Sequence, residues 1–361
     1  MARAGYWDRV TTLAAVHGVL PEHRYPQDDI TAAFAAFCLG PDGNVELLRR
    51  LHRNCCVETR HLAMPLERYG RLTGFTQAND VYLEVAVQLA AAAVRGALDE
   101  AGIPADQVDV IFSTTVTGLA VPSLDARIAV EVGLRPDVKR VPMFGLGCVA
   151  GAAGIARMHD YLLGHPDQVA VLLAVELCSL TVQQDDRSVA NLVASGLFGD
   201  GAAAVVAVGA DHAGAGDGPV VLDTRSHLYP DTQRTMGWDI GSHGLGIVLD
   251  AQVPVLVQDY LGDDVRSLLA DHRLAVDDVA HWVSHPGGPK VIEAIETELA
   301  LPRDALELTW RSLADVGNLS SVSVLHVLRD TLVKRSPVAG TPGLLMAMGP
   351  GFCSELVLLR W

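Results

Sequence analysis

The chain has 361 residues, 50% of them hydrophobic and only 5% aromatic, and carries a formal charge of -16. That much apolar sequence builds a large Ala, Val and Leu core without a metal or disulfide staple. With no basic stripe to offset it, the acidic balance excludes nucleic acid and anionic membrane as partners.

In chain order, the opening "MARAGYWDRVTTLAAVHGVLPEH" places Asp8 and Arg9 where a secretory leader needs an apolar stretch, so it does not read as a signal peptide. The segment "HRNCCVETRH" brings His52 and His61 near Cys55 and Cys56, but no C-x2-C unit or second ligand cluster completes a metal site. The six cysteines (38, 55, 56, 148, 178 and 353) lack a framework spacing and read as reduced thiols of a cytoplasmic protein. Apolar runs such as "VAVLLAVE" fall short of the ~20 residues of a membrane helix.

One plan then appears twice. Residues 96–118, "GALDEAGIPADQVDVIFSTTVTG", read as helix, turn, acidic loop, apolar strand and a small polar end; residues 265–288, "VRSLLADHRLAVDDVAHWVSHPGG", repeat that order. Downstream, a helix after Cys148 leads to the strand "QVAVLLAVELCS", and a helix after "VGNLSSVSVLHVLRD" leads to "GLLMAMGPGFCSELVLLRW". Two halves, 1–208 and 221–361, are thus expected around a Gly-rich connection at 209–220. Wholly apolar strands call for sheets covered on both faces. Two such sheets sharing central helices make a layered α/β body with internal duplication, in which the helices starting at Cys148 and near Asn318 are symmetry mates. Gly145, Gly147, Gly151, Ala152, Ala153 and Gly154 then supply the small faces that close helix contact needs. The same glycines are not a dinucleotide fingerprint, because G-x-G-x-x-G requires glycine at Ala150.

A thiol in the first turn of a helix is expected to have a lowered pKa, through unpaired backbone N–H groups and the helix dipole. A nucleophile also needs a base and oxyanion donors. His285, in "WVSHPGGPK", ends an apolar strand where glycines leave room for a ligand. Asn318, in "DVGNLSSVS", opens a helix, either as its N-cap or as an amide donor to a developing oxyanion.

These stretches resemble the type III polyketide synthases, the chalcone synthase superfamily of the thiolase-like fold. "VGLRPDVKRVPMFGLGCVAGAAG" is similar to the family's nucleophile segment, "LFGDGAAAVV" to its gatekeeper segment and "SHPGGPKVI" to its histidine segment. "GNLSSVSVL" is similar to its asparagine segment and "GPGF" at 349–352 to its C-terminal loop. The resemblance spans roughly residues 45–361 and implies a five-layered αβαβα fold and a homodimer. It makes Cys148 the acyl-accepting nucleophile, His285 and Asn318 the decarboxylating pair, and Phe198 the gatekeeping aromatic. Ile247 stands where the family has a second gate phenylalanine. Thr181, Trp238 and Ser320 fall at cavity-lining positions, as do Gly349, Pro350, Gly351 and Phe352, and Val121 corresponds to the residue that reaches into the partner's cavity. Arg50 and Arg53 match cationic positions for the coenzyme A phosphates, with Gly287 and Gly288 beside the same carrier.

The resemblance implies loading of an acyl-CoA starter on Cys148, repeated decarboxylative condensation with malonyl-CoA, and release of a cyclised pyrone or phenol, with no metal or redox cofactor. Ile247 and Thr181 leave room for an aliphatic chain while Trp238 argues for a shortened pocket; an aliphatic starter and a pyrone are expected. The competing readings are an initiating ketoacyl synthase, with one condensation on a carrier protein, and a cysteine thioesterase.

Overall fold

A computed structural model describes residues 10–40, 43–214, 216 and 218–361. The opening stretch read against a leader, and Ala215 and Asp217 of the connection, lie outside the described residues. The strands are β1 (Thr11–Val19), β2 (His23–Pro26), β3 (Thr59–Leu62), β4 (Val110–Thr114), β5 (Lys139–Met143), β6 (Val169–Leu177), β7 (Asp200–Val208), β8 (Val220–Leu228), β9 (Met236–Gly241), β10 (Gly244–Leu249), β11 (His281–Ser284), β12 (Pro342–Gly349) and β13 (Cys353–Arg360). Nine of them hydrogen-bond in the order β11-β12-β13-β8-β1-β7-β6-β4-β5.

That order contains the duplication. From β1 outward the pairings run antiparallel to β7, antiparallel to β6 and parallel to β4. From β8 outward they run antiparallel to β13, antiparallel to β12 and parallel to β11. The halves meet where β1 pairs with β8 at Thr11 and Thr12. Among the described strands of this sheet only β5, parallel to β4, has no counterpart in the second half.

Two helices, Ala150–Gly164 and Ser323–Asp330, lie between the halves and touch strands of both. Val149, Ile155 and Met158 pack there with Leu172, Leu325, Leu345 and Val357 in one central core. A second core forms where the 27-residue helix Phe75–Ala101 and the helix Leu124–Val132 cover the outer face of the first half. A third lies under Gly262–Asp271 and Pro289–Glu298 on the second half. Helices, one half of the sheet, helices, the other half of the sheet and helices therefore alternate, giving the five layers of the thiolase-like fold. Every residue of β6 and β7 is buried, which is why neither strand shows polar alternation.

The small residues after Cys148 are what lets the central helices touch. A Cβ on Gly151 would lie 2.3 Å from the Ser321 carbonyl oxygen and 2.6 Å from Val324 Cγ1, whereas one on Gly164, at the far end of the helix, meets nothing within 4 Å. Gly151→Val is expected to cost about 2 kcal/mol or more of unfolding free energy through overpacking. Gly164→Ala is expected to be neutral or slightly stabilising. Denaturant unfolding of the two variants checks both.

Candidate active site

Cys148 sits in a single 3-10 turn, Gly147–Val149, that feeds directly into the helix Ala150–Gly164. Gly147 has a φ of +56°, and a Cβ there would meet Pro350 at 2.7 Å. A Cβ on Gly349 would lie 2.7 Å from both the Leu146 oxygen and the Val149 nitrogen. The "GPGF" loop thus packs behind the thiol-bearing turn, and both sides of the contact require glycine. Phe352, the last residue of that loop, is fully buried and faces the cavity described below.

His285 continues the line of β11, its backbone N–H donating to Met346 O at 3.0 Å. It is buried, and neither ring nitrogen has a hydrogen-bond partner among the described residues. Asn318 is held by its main chain in an isolated parallel bridge to Phe198: Asn318 N donates to Leu197 O at 2.9 Å, and Gly199 N donates to Asn318 O at 2.9 Å. Its amide donates to Gly287 O at 3.2 Å while its Oδ1 accepts from Ser320 N at 2.8 Å. Asn318 therefore caps only the short turn Ser320–Val322; the helix proper begins at Ser323. The Asn318 side chain also hydrogen-bonds to the Cys148 sulfur, easing its thiol pKa downward against burial.

Cys148, His285, Asn318 and Phe198 line one cavity of about 500 Å³, whose remaining wall is mostly apolar, with Val193, Met236, Leu249 and Met348 among its members. Burial pushes the Cys148 thiol up to about 12, partly relieved by its contact with Ser320 Oγ at 3.7 Å and raised further by Glu176. The thiolate-favouring shift expected of a helix start is overruled, because removing the sulfur from water outweighs the dipole. Burial also drives His285 down to about 3, so its imidazole is neutral near pH 7. Glu176, wholly buried at the end of β6, accepts from Ser321 Oγ at 2.6 Å, Thr117 Oγ1 at 2.9 Å and Val116 N at 3.1 Å, and burial raises it to about 7. It ties a loop of the first half to the turn beside Asn318.

Both halves of the chain match domain families: residues 4–212 the N-terminal domain of chalcone and stilbene synthases, residues 221–361 their C-terminal domain. The chain belongs to the chalcone and stilbene synthase family. A 1,3,6,8-tetrahydroxynaphthalene synthase of Streptomyces peucetius subsp. caesius is 58% identical over 355 residues, covering 98% of this chain and 94% of that protein. A putative chalcone synthase of Bacillus subtilis is 34% identical over 327 residues, 88% of this chain and 90% of its own. The crystal structure of the Streptomyces coelicolor A3(2) 1,3,6,8-tetrahydroxynaphthalene synthase, a bacterial type III polyketide synthase, superposes with a TM-score of 0.91 at 32% identity, covering 97% of this chain and 99% of that one. The protein is accordingly a type III polyketide synthase, an acyltransferase that forms carbon–carbon bonds.

Several residues singled out in the sequence stand elsewhere in this synthase. Trp238 and Ile247 pair across the two-stranded hairpin of β9 and β10, outside the wall around Cys148. Thr181 lines a separate cavity of about 530 Å³, and Val121 is 97% exposed. Arg50 and Arg53 are exposed and off the cavity wall, and Arg53 is engaged by Glu46 at 3.3 Å. Among the described residues the cation that lines the cavity is Lys290, the second residue of the helix that follows Gly287 and Gly288, which line it too. Lys290 was in view within "SHPGGPK" but carried no pattern of its own. Cys55 also lines the cavity, its thiol donating to Leu51 O at 3.3 Å.

Proposed function

We propose that Cys148 carries the growing chain, that His285 serves both of its half-reactions and that the Asn318 amide serves decarboxylation. The observation behind this reading is their convergence on one apolar cavity, with an unpartnered neutral imidazole and the Asn318 amide against the Cys148 sulfur. The Cys148 proton passes to His285 as sulfur attacks the thioester carbonyl; the carbon–sulfur bond to coenzyme A breaks, and the leaving thiolate takes the proton back. In the next half-reaction malonyl-CoA loses carbon dioxide, the electron pair of that bond becoming an enolate whose oxygen accepts from the Asn318 amide and the neutral His285 N–H. The enolate carbon then attacks the Cys148 thioester, freeing the sulfur and lengthening the chain by two carbons on coenzyme A. Apolar walls keep water from the enolate and from the thioester.

The product class follows from the relatives. A naphthalene with hydroxyls at positions 1, 3, 6 and 8 has the ten ring carbons of five two-carbon units, the starter's carboxyl leaving as carbon dioxide and the fifth carbonyl oxygen as water on ring closure. That supports malonyl-CoA as both starter and extender and a phenolic product. The case for an aliphatic starter and a pyrone rested on Thr181 and Ile247, which do not share the Cys148 cavity. Incubation with malonyl-CoA alone, read by mass spectrometry, should yield a tetrahydroxynaphthalene; a strict need for a second acyl-CoA would overturn this reading. With an acyl-CoA alone, one coenzyme A per site is expected, where a thioesterase would release it steadily.

The carrier enters past Lys290, which with Gly287 and Gly288 takes the place assigned to Arg50 and Arg53 as its landing point. Lys290→Glu should raise KM for malonyl-CoA about tenfold by setting a negative charge against phosphate, while Arg53→Ala, already neutralised by Glu46, should change it less than twofold. Steady-state kinetics separate the two.

The working form is a homodimer of the cytoplasm, with Val121 placed to enter the partner's cavity. Supporting this, β5 is an edge strand with mostly exposed side chains, Val141 among them, and Val130, on the helix that contacts it, is 92% exposed. An apolar face of that kind beside an open sheet edge is suited to a second copy. Val130→Glu is expected to shift the protein to monomer in size-exclusion chromatography.

A further inference from the structure

The gate residue and the oxyanion donor share one hidden support. Arg60, on β3, is 2% exposed, yet among the described residues it makes no ion pair within 4 Å, the buried Asp200 carboxylate acting on it only at longer range. Its guanidinium donates instead to neutral acceptors, Nη1 to Phe198 O at 2.6 Å and Nε to Gln27 Oε1 at 3.1 Å. Gln27 in turn donates from Nε2 to Gly196 O at 2.6 Å. The aliphatic stem of Arg60 lies against Gly317: a Cβ on that glycine would come within 3.2 Å of Arg60 Cγ and Cδ and 2.7 Å of Leu197 O. Arg60 therefore touches both partners of the Phe198–Asn318 bridge, one through a hydrogen bond to Phe198 itself and the other through the residue preceding Asn318.

A guanidinium taken out of water carries a desolvation cost that neutral acceptors offset only in part. Bonds of this kind hold main-chain geometry, since each removes a carbonyl from the alternatives it would otherwise sample. The carbonyl of Phe198 belongs to the stretch Leu197–Gly199 whose hydrogen bonds fix the Asn318 main chain, and the Asn318 amide is in turn aligned on Gly287 O beside His285. A shift of even part of an ångström at Phe198 moves the amide relative to the imidazole, and alignment at that scale controls rate.

We infer that Arg60 is a positioning residue of the synthase, fixing the Phe198 gate and the Asn318 amide against His285 without touching substrate. This rests on the roles proposed above for His285 and Asn318. It makes decarboxylation, whose enolate oxygen bonds to the Asn318 amide, far more sensitive to Arg60 than loading of Cys148, where that amide makes only a minor contact with the sulfur.

The test compares two steps in the full-length protein: the coenzyme A burst from an acyl-CoA alone, and carbon dioxide release from malonyl-CoA. R60M should leave the burst rate and KM for malonyl-CoA within threefold of the parent while lowering the maximal rate of carbon dioxide release at least tenfold. R60K, which donates from one centre only, should fall between R60M and the parent. A purely structural role would lower both steps by one factor, following the folded fraction measured by circular dichroism. That result, or no loss in either step, overturns the inference. If R60M does not fold, R60K decides alone: a decarboxylation loss of threefold or more with loading within twofold supports the inference, and any other ratio overturns it. A parent enzyme that fails to load or to decarboxylate would instead defeat the proposed function.

Discussion

Cys148→Ala should abolish polyketide formation, by about three orders of magnitude or more, while leaving a measurable rate of malonyl-CoA decarboxylation. The two outcomes separate because the cavity divides the labour. The sulfur is the acyl carrier, whereas the groups that face an enolate oxygen, His285 and Asn318, belong to other elements and stay in place when the thiol is removed. Intact-protein mass spectrometry after exposure to an acyl-CoA provides the reading: one acyl adduct on the parent and none on the variant. Cys55 makes this a demanding test, since a second thiol lines the same cavity. Burial holds Cys55 at about 11, and its hydrogen goes to the Leu51 carbonyl. An adduct persisting in the Cys148 variant would show that Cys55 substitutes as carrier, and the assignment of Cys148 would fall.

The architecture was readable because its strands are long, apolar and repeated. The run at 169–177 and its counterpart at 342–349 both have to be covered on two faces, and only a layered body with central helices does that for both. β5 escaped this logic. Its sequence, Lys139–Met143, has the polar character of an edge, and nothing within it shows that it extends β4 in parallel. At the site, the glycines around Cys148 announced a close approach but not its partner; the contacts of Gly147 with Pro350 and of Gly349 with Val149 join stretches some two hundred residues apart. The charge state of the thiol was misread for a definable reason: a helix start is visible in sequence, whereas the depth at which it is buried is not. Trp238 and Ile247 were placed by motif position, but a two-stranded hairpin turns them away from the Cys148 wall. Arg60 had no signal at all, because its partners are a carbonyl 138 positions away and the side chain of Gln27.

His285→Ala carries the second large effect, and it should remove loading and decarboxylation together, each by at least about a hundredfold. Alone in this cavity the Cys148 thiol, at about 12, and the imidazole, at about 3, are both neutral near pH 7. A thiolate exists there only as one member of an ion pair, made when the proton crosses to the imidazole and the two charges attract across a medium of low dielectric. Without the imidazole the thiol keeps its proton, so iodoacetamide labelling of Cys148 should slow in parallel with acyl loading. The enolate loses one of its two donors in the same variant, so carbon dioxide release falls as well, and that shared loss distinguishes His285 from Cys148. The pH dependence supplies an independent check with a definite sign. His285 becomes charged only toward pH 3, so decarboxylation by the parent should stay level from pH 8 down to about 5, with no fall through the ordinary histidine range near 6.5. Glu176, at about 7, does titrate inside that window and its ionisation opposes the Cys148 thiolate, so a step in loading near pH 7 should disappear in Glu176→Gln. A decarboxylation profile that drops at 6.5, or a His285 variant that still releases carbon dioxide at the parental rate, would remove the imidazole from the role assigned to it.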